Sequence, residues 1–562
     1  MKYKEDINIL LYIFIVFILS SSIFLLFYKD KWLAIILVSC FFIFLVLNKK
    51  IDLFIILTIF FLVPIVNNIF YYNLNLSSLE EIRIISLNNY GGMGEIKGRK
   101  FYLSGEIKNL RLGDKILANI DTNKDINIEK GIIGEVTIDS YEKLGIDIKA
   151  RVYRIREEIF NTLREKLGSR RSALITSMAF GYTEFLDRED TNNMKNLGVL
   201  HAVSVSGLHM VLVYSLLRKI FGGKLSPIIA IIYVIFTGCA TSTVRAYIML
   251  LCLSLAVPFR RSYNPLAGLS LAGIILILYK PYSLFEVGFQ LSFLSTLGII
   301  VFNKKMNRFF YKLPKIIREG TSISLSSQVF TFPFLILYFK EFSLGFLIGN
   351  LILIPLINVV VILGNLLAVT FKLKIIFNYL AFLCYYFTLA LDIISDRLIN
   401  ILPSTLYLNE IISISYIILL ITFYFYKNGY KNIIYFNLTI FIYLYFIFYS
   451  PFPKVEYYKE GIMSISFRGE RNVIALKEGV KLDKYKAISF SKKEYENFKK
   501  ISIKDYIEIE KINKDILIKN RDKNYLIQLS KKKNHYNYDI IDCKHSNYFK
   551  IIFLKNRILV FN

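Results

Sequence analysis

Histidine and cysteine, the side chains that most often hold transition metals, are scarce in this sequence of 562 residues. It has four histidines and five cysteines. No two cysteines form a Cys-x-x-Cys pair, four of them lie in apolar segments, and Cys543 stands alone in a polar tail. This spacing argues against a disulfide scaffold and against a zinc site. We therefore predict neither a metal nor a cofactor.

Long hydrophobic runs are abundant by contrast. Hydrophobic residues make up 55% of the chain. The runs Ile9–Phe27, Leu33–Leu47 and Leu53–Tyr71 approach the roughly 20 residues that a helix needs to cross a bilayer. We predict a mainly α-helical polytopic membrane protein with about 13 transmembrane segments separated by short polar loops. No small-residue cleavage site follows the first run, so we expect an uncleaved helix and not a signal peptide.

The chain carries a formal net charge of +27, from 70 lysines and arginines against 43 acidic residues. A strongly basic balance favours nucleic-acid binding. The same excess also arises when lysine, isoleucine and asparagine are used heavily throughout a chain, as AT-rich codons require. Charge alone leaves both interpretations open.

Composition divides the chain into five regions. Residues 1–71 hold three apolar segments, 72–150 are polar and rich in glycine, 151–171 are amphipathic, 172–450 are mostly apolar, and 451–562 are polar again. Alternating stretches in the second region predict strands of a small β-rich domain at Lys100–Ile107, Lys115–Ile120 and Gly131–Ile138. We predict an α+β tail domain at 451–562, with Lys492–Ile501 as one of its helices.

The region that follows the β-domain reads as an amphipathic helix over Arg151–Gly168. Its apolar residues Val152, Ile155, Ile159, Leu163 and Leu167 recur three or four positions apart. Such a helix lies on the bilayer surface or packs on a protein core. We favour the bilayer surface.

Basic loops set the predicted orientation. With the N-terminus in the cytoplasm, the loops that fall on the cytoplasmic side are the cation-rich ones, as the positive-inside rule requires. These loops are Asn48–Lys50, Arg218–Lys224, Arg260–Arg261, Asn303–Arg318, Lys372–Lys374 and Lys427–Lys431. An odd number of crossings then places the β-domain, the tail and the C-terminus outside the cytoplasm.

The segment His201–His209 puts two histidines, two serines and a glycine into an apolar run. Polar side chains in a membrane segment are costly unless they face protein or water. We expect the helix to bend or break at Ser206 and Gly207, which is tolerated along a cavity or in a protein interior. The segment therefore reads as the lining of a pore or cleft. Alternatively, the small residues only allow close helix packing.

Arg245 lies in the first turn of a predicted helix, where the helix dipole disfavours a cation. We expect an anion to compensate it, either Glu286 at another helix start or a phosphate. A snorkelling arginine at the bilayer edge is the alternative. Further polar residues in later apolar segments, two of which contain proline, are more typical of a transport protein than of an inert anchor. The candidate path residues are His201, Ser204, Ser206, Gly207, His209, Arg245, Gln290, Ser292, Gln328 and Asn350.

Four of these stretches, in order, resemble motifs of the ComEC family of bacterial competence proteins. They are Leu197–Met210, Val244–Met249, Gly288–Ser292 and Phe342–Pro355. The resemblance covers roughly residues 172–370 and implies a channel in the bacterial plasma (inner) membrane that carries single-stranded DNA into the cytoplasm during natural transformation. It also implies that the β-domain is OB-like, a fold that can bind single strands. Phe101 and Tyr102 are its only evident aromatic pair.

The same resemblance implies partners. These are single-stranded DNA, the lipid bilayer, a DNA-receptor protein outside and an ATP-driven translocase in the cytoplasm, with a homo-oligomer left open. The sequence has no phosphate-binding Gly-x-x-x-x-Gly-Lys loop of its own, so an external motor or the proton gradient would supply energy.

The sequence departs from the family in its tail. Many members end in a metallo-β-lactamase-like nuclease domain, whose chemistry needs a His-x-His-x-Asp-His cluster. The tail histidines here, His535 and His545, are ten residues apart without such a cluster. We predict that the protein is not an enzyme and that 451–562 is a degenerate remnant of that domain, faintly similar to its opening strands at Ile462–Leu476.

Two other functions stay open. A membrane-embedded serine hydrolase would use Ser206 with His209 one turn later, but neither a Gly-x-Ser-x-Gly elbow nor an acidic partner is nearby. A secondary transporter of a small solute would usually show an inverted repeat, and none is visible.

Overall fold

The computed structural model describes most of the chain in two compact units. One comprises Met1–Thr331 with Ser343–Ser404, and the other Phe332–Phe342 with Thr405–Asn562. The description leaves out residues 1, 48–50, 89–90, 108, 146, 404, 459, 478, 481, 497, 504–506, 513–514, 521–522, 530–537, 543–547, 555–557 and 562. The predicted loop 48–50 and the tail residues His535, Cys543 and His545 lie outside the described residues.

Helices account for most of the structure. Their bounds are α1 Lys2–Lys29, α2 Lys31–Leu47, α3 Ile51–Tyr72, α4 Ile148–Leu167, α5 Ser169–Phe180, α6 Arg188–Asn196, α7 Gly207–Phe236, α8 Thr241–Ala256, α9 Pro265–Tyr279, α10 Val287–Phe309, α11 Lys315–Phe339, α12 Phe346–Thr370, α13 Lys374–Ile401, α14 Glu410–Lys427, α15 Asn437–Tyr449 and α16 Leu482–Ser489. The described part of the chain has nine helices that are long and apolar enough to cross a membrane. Three more, α2, α8 and α9, are apolar but shorter.

The prediction of about 13 segments counted the two halves of α7 separately. Gly222 interrupts this helix with a positive φ of 73°, a conformation that glycine adopts without steric cost. Pro227, just beyond, has no N–H to donate to the preceding turn. The basic residues around the interruption therefore lie between two apolar halves, which is why the sequence pattern resembled a loop.

Five strands form a closed barrel after the first three helices. They are β1 Leu79–Asn88, β2 Gly91–Ile96, β3 Arg99–Gly105, β4 Lys115–Asn123 and β5 Ile132–Lys143. Their order is β1-β2-β3-β5-β4, with only β3 and β5 parallel. Alternating residues such as Ile82, Ile84, Ile116 and Ile138 point inward and are buried, as expected for strands with one buried face.

The glycines of β2 are required by close packing. A Cβ on Gly94 would lie 2.7 Å from Leu103 and 2.8 Å from Ile82, and one on Gly92 would lie 2.7 Å from the Ser86 carbonyl oxygen. The sequence prediction named only the regions of β3, β4 and β5. It missed β1, and it missed β2 because a glycine-rich segment resembles a turn.

Helix α4 packs on protein, so the preference for the bilayer surface was wrong. Ile159, Phe160 and Leu163 are at most 1% exposed and pack in one core with residues of α5, α12 and α13, including Met178 and Phe377. At its start, Asp147 accepts a hydrogen bond from the Ala150 N–H at 2.9 Å. The helix is thereby held inside the first unit.

The second unit contains two large β-sheets that share a core and a two-stranded sheet of Glu341–Phe342 with Leu406–Tyr407. Its strands are β6 Glu341–Phe342, β7 Leu406–Tyr407, β8 Lys454–Tyr458, β9 Ile462–Phe467, β10 Glu470–Ala475, β11 Lys493–Tyr495, β12 Lys500–Ile503, β13 Ile507–Ile512, β14 Asp515–Asn520, β15 Lys523–Gln528, β16 Asp539–Asp542, β17 Tyr548–Phe553 and β18 Ile558–Phe561. One sheet has the order β11-β10-β9-β8-β17-β18 and the other runs from β12 to β16 in sequence order. Val455 and Ile465 of the first sheet pack with Ile509 and Ile518 of the second.

The predicted tail helix at Lys492–Ile501 was wrong. The chain there forms β11 and part of β12, whereas the tail helix is α16, Leu482–Ser489. The charged residues at 492–500 gave the stretch a helix-like composition, but pairing of β11 with β10 and of β12 with β13 determines its conformation.

Candidate functional site

The chain breaks its helical structure just before α7. A short 3-10 helix at Leu200–Ala202 is followed by non-helical residues, and α7 begins at Gly207 with Ser206 as an extended N-cap residue. The sequence predicted that the helix bends or breaks at Ser206 and Gly207, and the structure has its break there. Regular helix starts at Gly207, and His201 and Ser204 lie before it on an irregular segment, residues 200–206.

Two glycines let this segment pass close to the start of α12. Gly198 has a φ of 71°, and a Cβ there would lie 2.5 to 2.6 Å from Phe346. A Cβ on Gly349 would lie 2.2 Å from the Leu197 carbonyl oxygen. These contacts leave no room for a side chain, so backbone packing fixes the position of the irregular segment.

Exposure alternates along the irregular segment. Ala202, Val203 and Val205 are at most 5% exposed, whereas His201 and Ser204 are exposed. The Gly198 backbone lies within hydrogen-bonding reach of the His201 imidazole. The segment therefore buries its apolar side chains and leaves two polar side chains accessible.

The first turn of α7 carries a buried histidine that is incompletely satisfied. Ser206 and His209 form a capping box, in which the Ser206 N–H donates to Nδ1 of His209 at 3.3 Å and fixes the ring beside the helix start. His209 is fully buried, and its Nε2 has no hydrogen-bond partner among the described residues. Buried polar atoms are nearly always paired with protein or with a ligand or water, so this orphan atom calls for an explanation.

Arg245 packs directly against the start of α7. Its side chain is buried, with 7% of the residue exposed. A Cβ on Gly207 would lie 2.6 Å from its terminal Nη2, so the missing side chain at 207 makes room for the guanidinium. On its other side, Arg245 faces the ring of Phe293, with 5.9 Å between the guanidinium carbon and the ring centroid.

No carboxylate in the described part of the chain pairs with Arg245. The expectation that Glu286 compensates it was wrong, because Glu286 pairs with Lys100 of the barrel at 3.5 Å. The Nε atom of Arg245 is buried without a partner in that same part. Removing a cation from water costs several kcal/mol, whereas a cation–π contact contributes at most about 2 kcal/mol. Burial against Gly207 and Phe293 also rules out a snorkelling side chain.

A second polar group lies on α11 and α12. Asn350 Nδ2 donates to Ser324 Oγ at 3.3 Å, and Gln328, one turn after Ser324, accepts from the Thr331 hydroxyl at 3.0 Å. On α10, Gln290 Nε2 donates to the Leu284 carbonyl at 2.9 Å. The Ser292 carbonyl accepts from the Thr296 hydroxyl at 2.9 Å. The structure thus brings Ser206, Gly207, His209 and Arg245 together, and places the remaining candidates on neighbouring helices.

Sequence reasoning missed residues that hold this arrangement. The Ser242 hydroxyl donates to the Val205 carbonyl at 3.0 Å and ties the start of α8 to the irregular segment. Phe293 supplies the aromatic face for Arg245. Ser242 lies three residues before Arg245, whereas an apolar phenylalanine in an apolar helix carries no signal of its own.

The barrel has a cleft of about 290 Å³ that is lined by charges of both signs. Lys97 pairs with Glu80 at 2.6 Å and Lys115 with Glu81 at 2.5 Å. Phe101, one of the two predicted stacking residues, is buried in the barrel core and 3% exposed. The cleft is therefore largely self-neutralised, and only Tyr102 of the aromatic pair is available on the surface.

Comparison with known proteins finds a family match in the membrane region. Residues 178–429 match the family described as Competence protein. ComE operon protein 3 of Bacillus subtilis (strain 168) is 25% identical over 218 residues, which is 37% of this chain and 28% of that relative. The chain thus covers well under a third of the relative's length in this match. No solved structure matches the chain. In the described residues, no group of three or more histidine, cysteine or acidic side chains could hold a metal ion.

Proposed function

Because the membrane domain at residues 178–429 belongs to the competence-protein family of ComEC, we propose that this protein is a channel that passes single-stranded DNA into the cytoplasm during natural transformation. The observation that carries the proposal is the irregular segment before α7. There His201 and Ser204 are accessible, whereas the apolar side chains beside them are buried. A conduit through a bilayer needs such a place, where polar groups replace water around a charged strand.

The chemistry of a DNA strand explains why a channel needs few specific side chains to carry it. A channel must shield phosphate charge from hydrocarbon but need not read bases, so its contacts are made to the backbone and weaken with salt. The start of α7 is the positive end of a helix dipole, and broken helices in transporters use this feature to face anions. Arg245 adds a full positive charge beside it.

We propose that the barrel at 79–143 is the OB-like domain of the family and acts mainly as a scaffold. Its strand order, with closure through β1 and β4, suits a five-stranded OB-like barrel. The paired charges of its cleft favour the scaffold role over strand binding. In the proposed orientation the N-terminus is cytoplasmic, the two halves of α7 cross the membrane separately, and the barrel and the tail lie outside the plasma membrane.

The proposed partners follow from transport in one direction. A DNA receptor outside would deliver the strand, and an ATP-driven translocase in the cytoplasm would pull it. The sequence shows no metallo-β-lactamase cluster, so we propose that another protein degrades the complementary strand.

Deletion of the gene tests the proposal directly. Cells that lack it should bind labelled DNA at the surface but should not accumulate labelled single strands in the cytoplasm, and the intact gene supplied in trans should restore entry. If labelled DNA reaches the cytoplasm of the deletion strain at the normal rate, the channel assignment is wrong.

A further inference from the structure

We propose that Arg245, together with Ser206 and His209 at the start of α7, forms a binding site for a single phosphodiester anion. Its assignment to a DNA strand rests on the proposed function. The site itself rests on the contacts of these three residues.

The strongest argument is a buried cation without a counter-ion. Arg245 has no acidic partner among the described residues, and its one aromatic contact, with Phe293, carries no negative charge. Arg245 is the fifth residue of α8, one turn beyond its start at Thr241. An anion bound beside the guanidinium would supply the missing counter-charge.

Orphan polar atoms supply the second argument. Nε2 of His209 and Nε of Arg245 belong to residues that are more than nine-tenths buried, and neither atom has a partner in the described chain. Ser206 caps this helix in a capping box with His209. The His209 ring is hydrogen-bonded to the Ser206 N–H, and Arg245 touches Gly207. Both orphan atoms therefore belong to residues that contact the first turn of α7.

The arrangement suits a phosphodiester better than other ligands. A guanidinium binds two phosphate oxygens through parallel N–H donors. Helix N-termini bind phosphate groups through their free N–H groups. No carboxylate lies among the three side chains, so a metal cation has no anionic ligand there. A phosphodiester carries one negative charge, which matches the one unpaired cation.

Two sources offer this group, a nucleic-acid strand and a phospholipid headgroup. Binding of a fluorescent twelve-residue oligothymidylate to the purified full chain in detergent tests the first, with the uncharged methylphosphonate oligomer as the chemical control. Thermal unfolding in nanodiscs of phosphatidylglycerol against phosphatidylcholine tests the second. Arg245→Gln is the test variant. Arg218→Gln is its matched control, because it removes one exposed charge from α7 away from the site.

For the strand, wild-type protein and Arg218→Gln should bind oligothymidylate alike and the methylphosphonate oligomer weakly. Arg245→Gln should bind oligothymidylate about tenfold more weakly, and the slope of log affinity against log salt should fall by about 0.7. Gly207→Ala, whose Cβ would displace the guanidinium without changing charge, should also weaken oligothymidylate binding. This variant keeps the test valid if Arg245→Gln does not fold.

The outcomes separate the site from the channel. If only the phosphatidylglycerol stabilisation depends on Arg245, the phosphodiester site stands with a lipid as its occupant, and its link to the strand is refuted. If Arg245→Gln and Gly207→Ala match wild type in both arms, the site is refuted, even where the deletion strain shows that the protein carries DNA.

Discussion

Arg245 is the residue whose surroundings are hardest to explain without a ligand. Its guanidinium lies between Gly207 and Phe293, away from the acidic side chains of the described chain. The sequence suggested an unusual arginine from its position at a helix start, because the dipole argument needs only local structure. It could not show that Glu286 is engaged by Lys100, since that pair joins the membrane domain to the barrel.

Replacing Arg245 by alanine should reduce DNA uptake by about tenfold, the effect of losing roughly 1.4 kcal/mol of interaction with the strand. Cytoplasmic entry of labelled DNA measures this effect, with the amount of protein in the membrane checked by immunoblot. Arg218→Ala serves as the control and should take up DNA at the wild-type rate. Uptake by Arg245→Ala that equals this control, at equal protein level, would contradict a role for the guanidinium in the path.

Asp147 gives a prediction about pH at the junction of the barrel and α4. The hydrogen bonds from Arg83 lower the pKa of Asp147 to about 2, against about 3.9 in an unfolded chain. A depressed folded-state pKa stabilises the fold above the unfolded pKa. The contribution should therefore be complete above about pH 4 and lost as the pH falls through about 2.

Two substitutions separate the roles of Asp147. Asparagine caps helices as well as aspartate does, so Asp147→Asn should lose only the ion pair with Arg83. Asp147→Ala should lose the cap as well and be less stable by about a further 1 kcal/mol. Thermal unfolding of the purified chain between pH 3 and pH 7 measures both effects. An unchanged pH profile in Asp147→Asn would contradict the assignment.

At the scale of elements, hydrophobic runs predicted the membrane helices, because length and composition decide whether a segment can span a bilayer. The environment of α4 was not predictable, since a 3.6-residue apolar period is the same whether lipid or protein covers it. Polar side chains in an apolar run predicted the position of the helix break at Ser206 to within one residue. Strand β2 was missed because its glycines serve tertiary contacts with Leu103 and Ile82.

Gly94 in β2 should be intolerant of even a methyl group. Gly94→Ala would place its Cβ within 2.8 Å of Leu103 and Ile82, and overpacking of this kind costs about 1 to 3 kcal/mol. Gly145→Ala is the control, since nothing lies within 4 Å of a Cβ there, and we expect a change within about 0.5 kcal/mol. Resistance of the barrel to proteolysis measures the difference. Equal resistance of the two variants would contradict the packing account.

At the scale of the whole molecule, the chain combines a helical region, of which residues 178–429 match the competence-protein family, with a closed barrel and a two-sheet tail. The family resemblance and the helical character were accessible from sequence, because motifs and apolar runs are local properties. The joining of Ser206, Gly207, His209 and Arg245 into one cluster depends on the contact between α7 and α8. That contact is formed by backbone approach at a glycine, which no single-sequence pattern reveals.

Labelling of a cysteine at position 204 tests the central claim most directly. In a chain whose five natural cysteines are replaced by alanine, Ser204→Cys should react with a membrane-impermeant thiol reagent, and the reaction should block DNA uptake. Ala202→Cys is the control, because residue 202 is only 1% exposed and should not react. The account predicts fast labelling at 204 that DNA in transit slows. A cysteine at 204 that is as unreactive as the one at 202, or that is labelled without loss of uptake, would contradict a strand path along this segment.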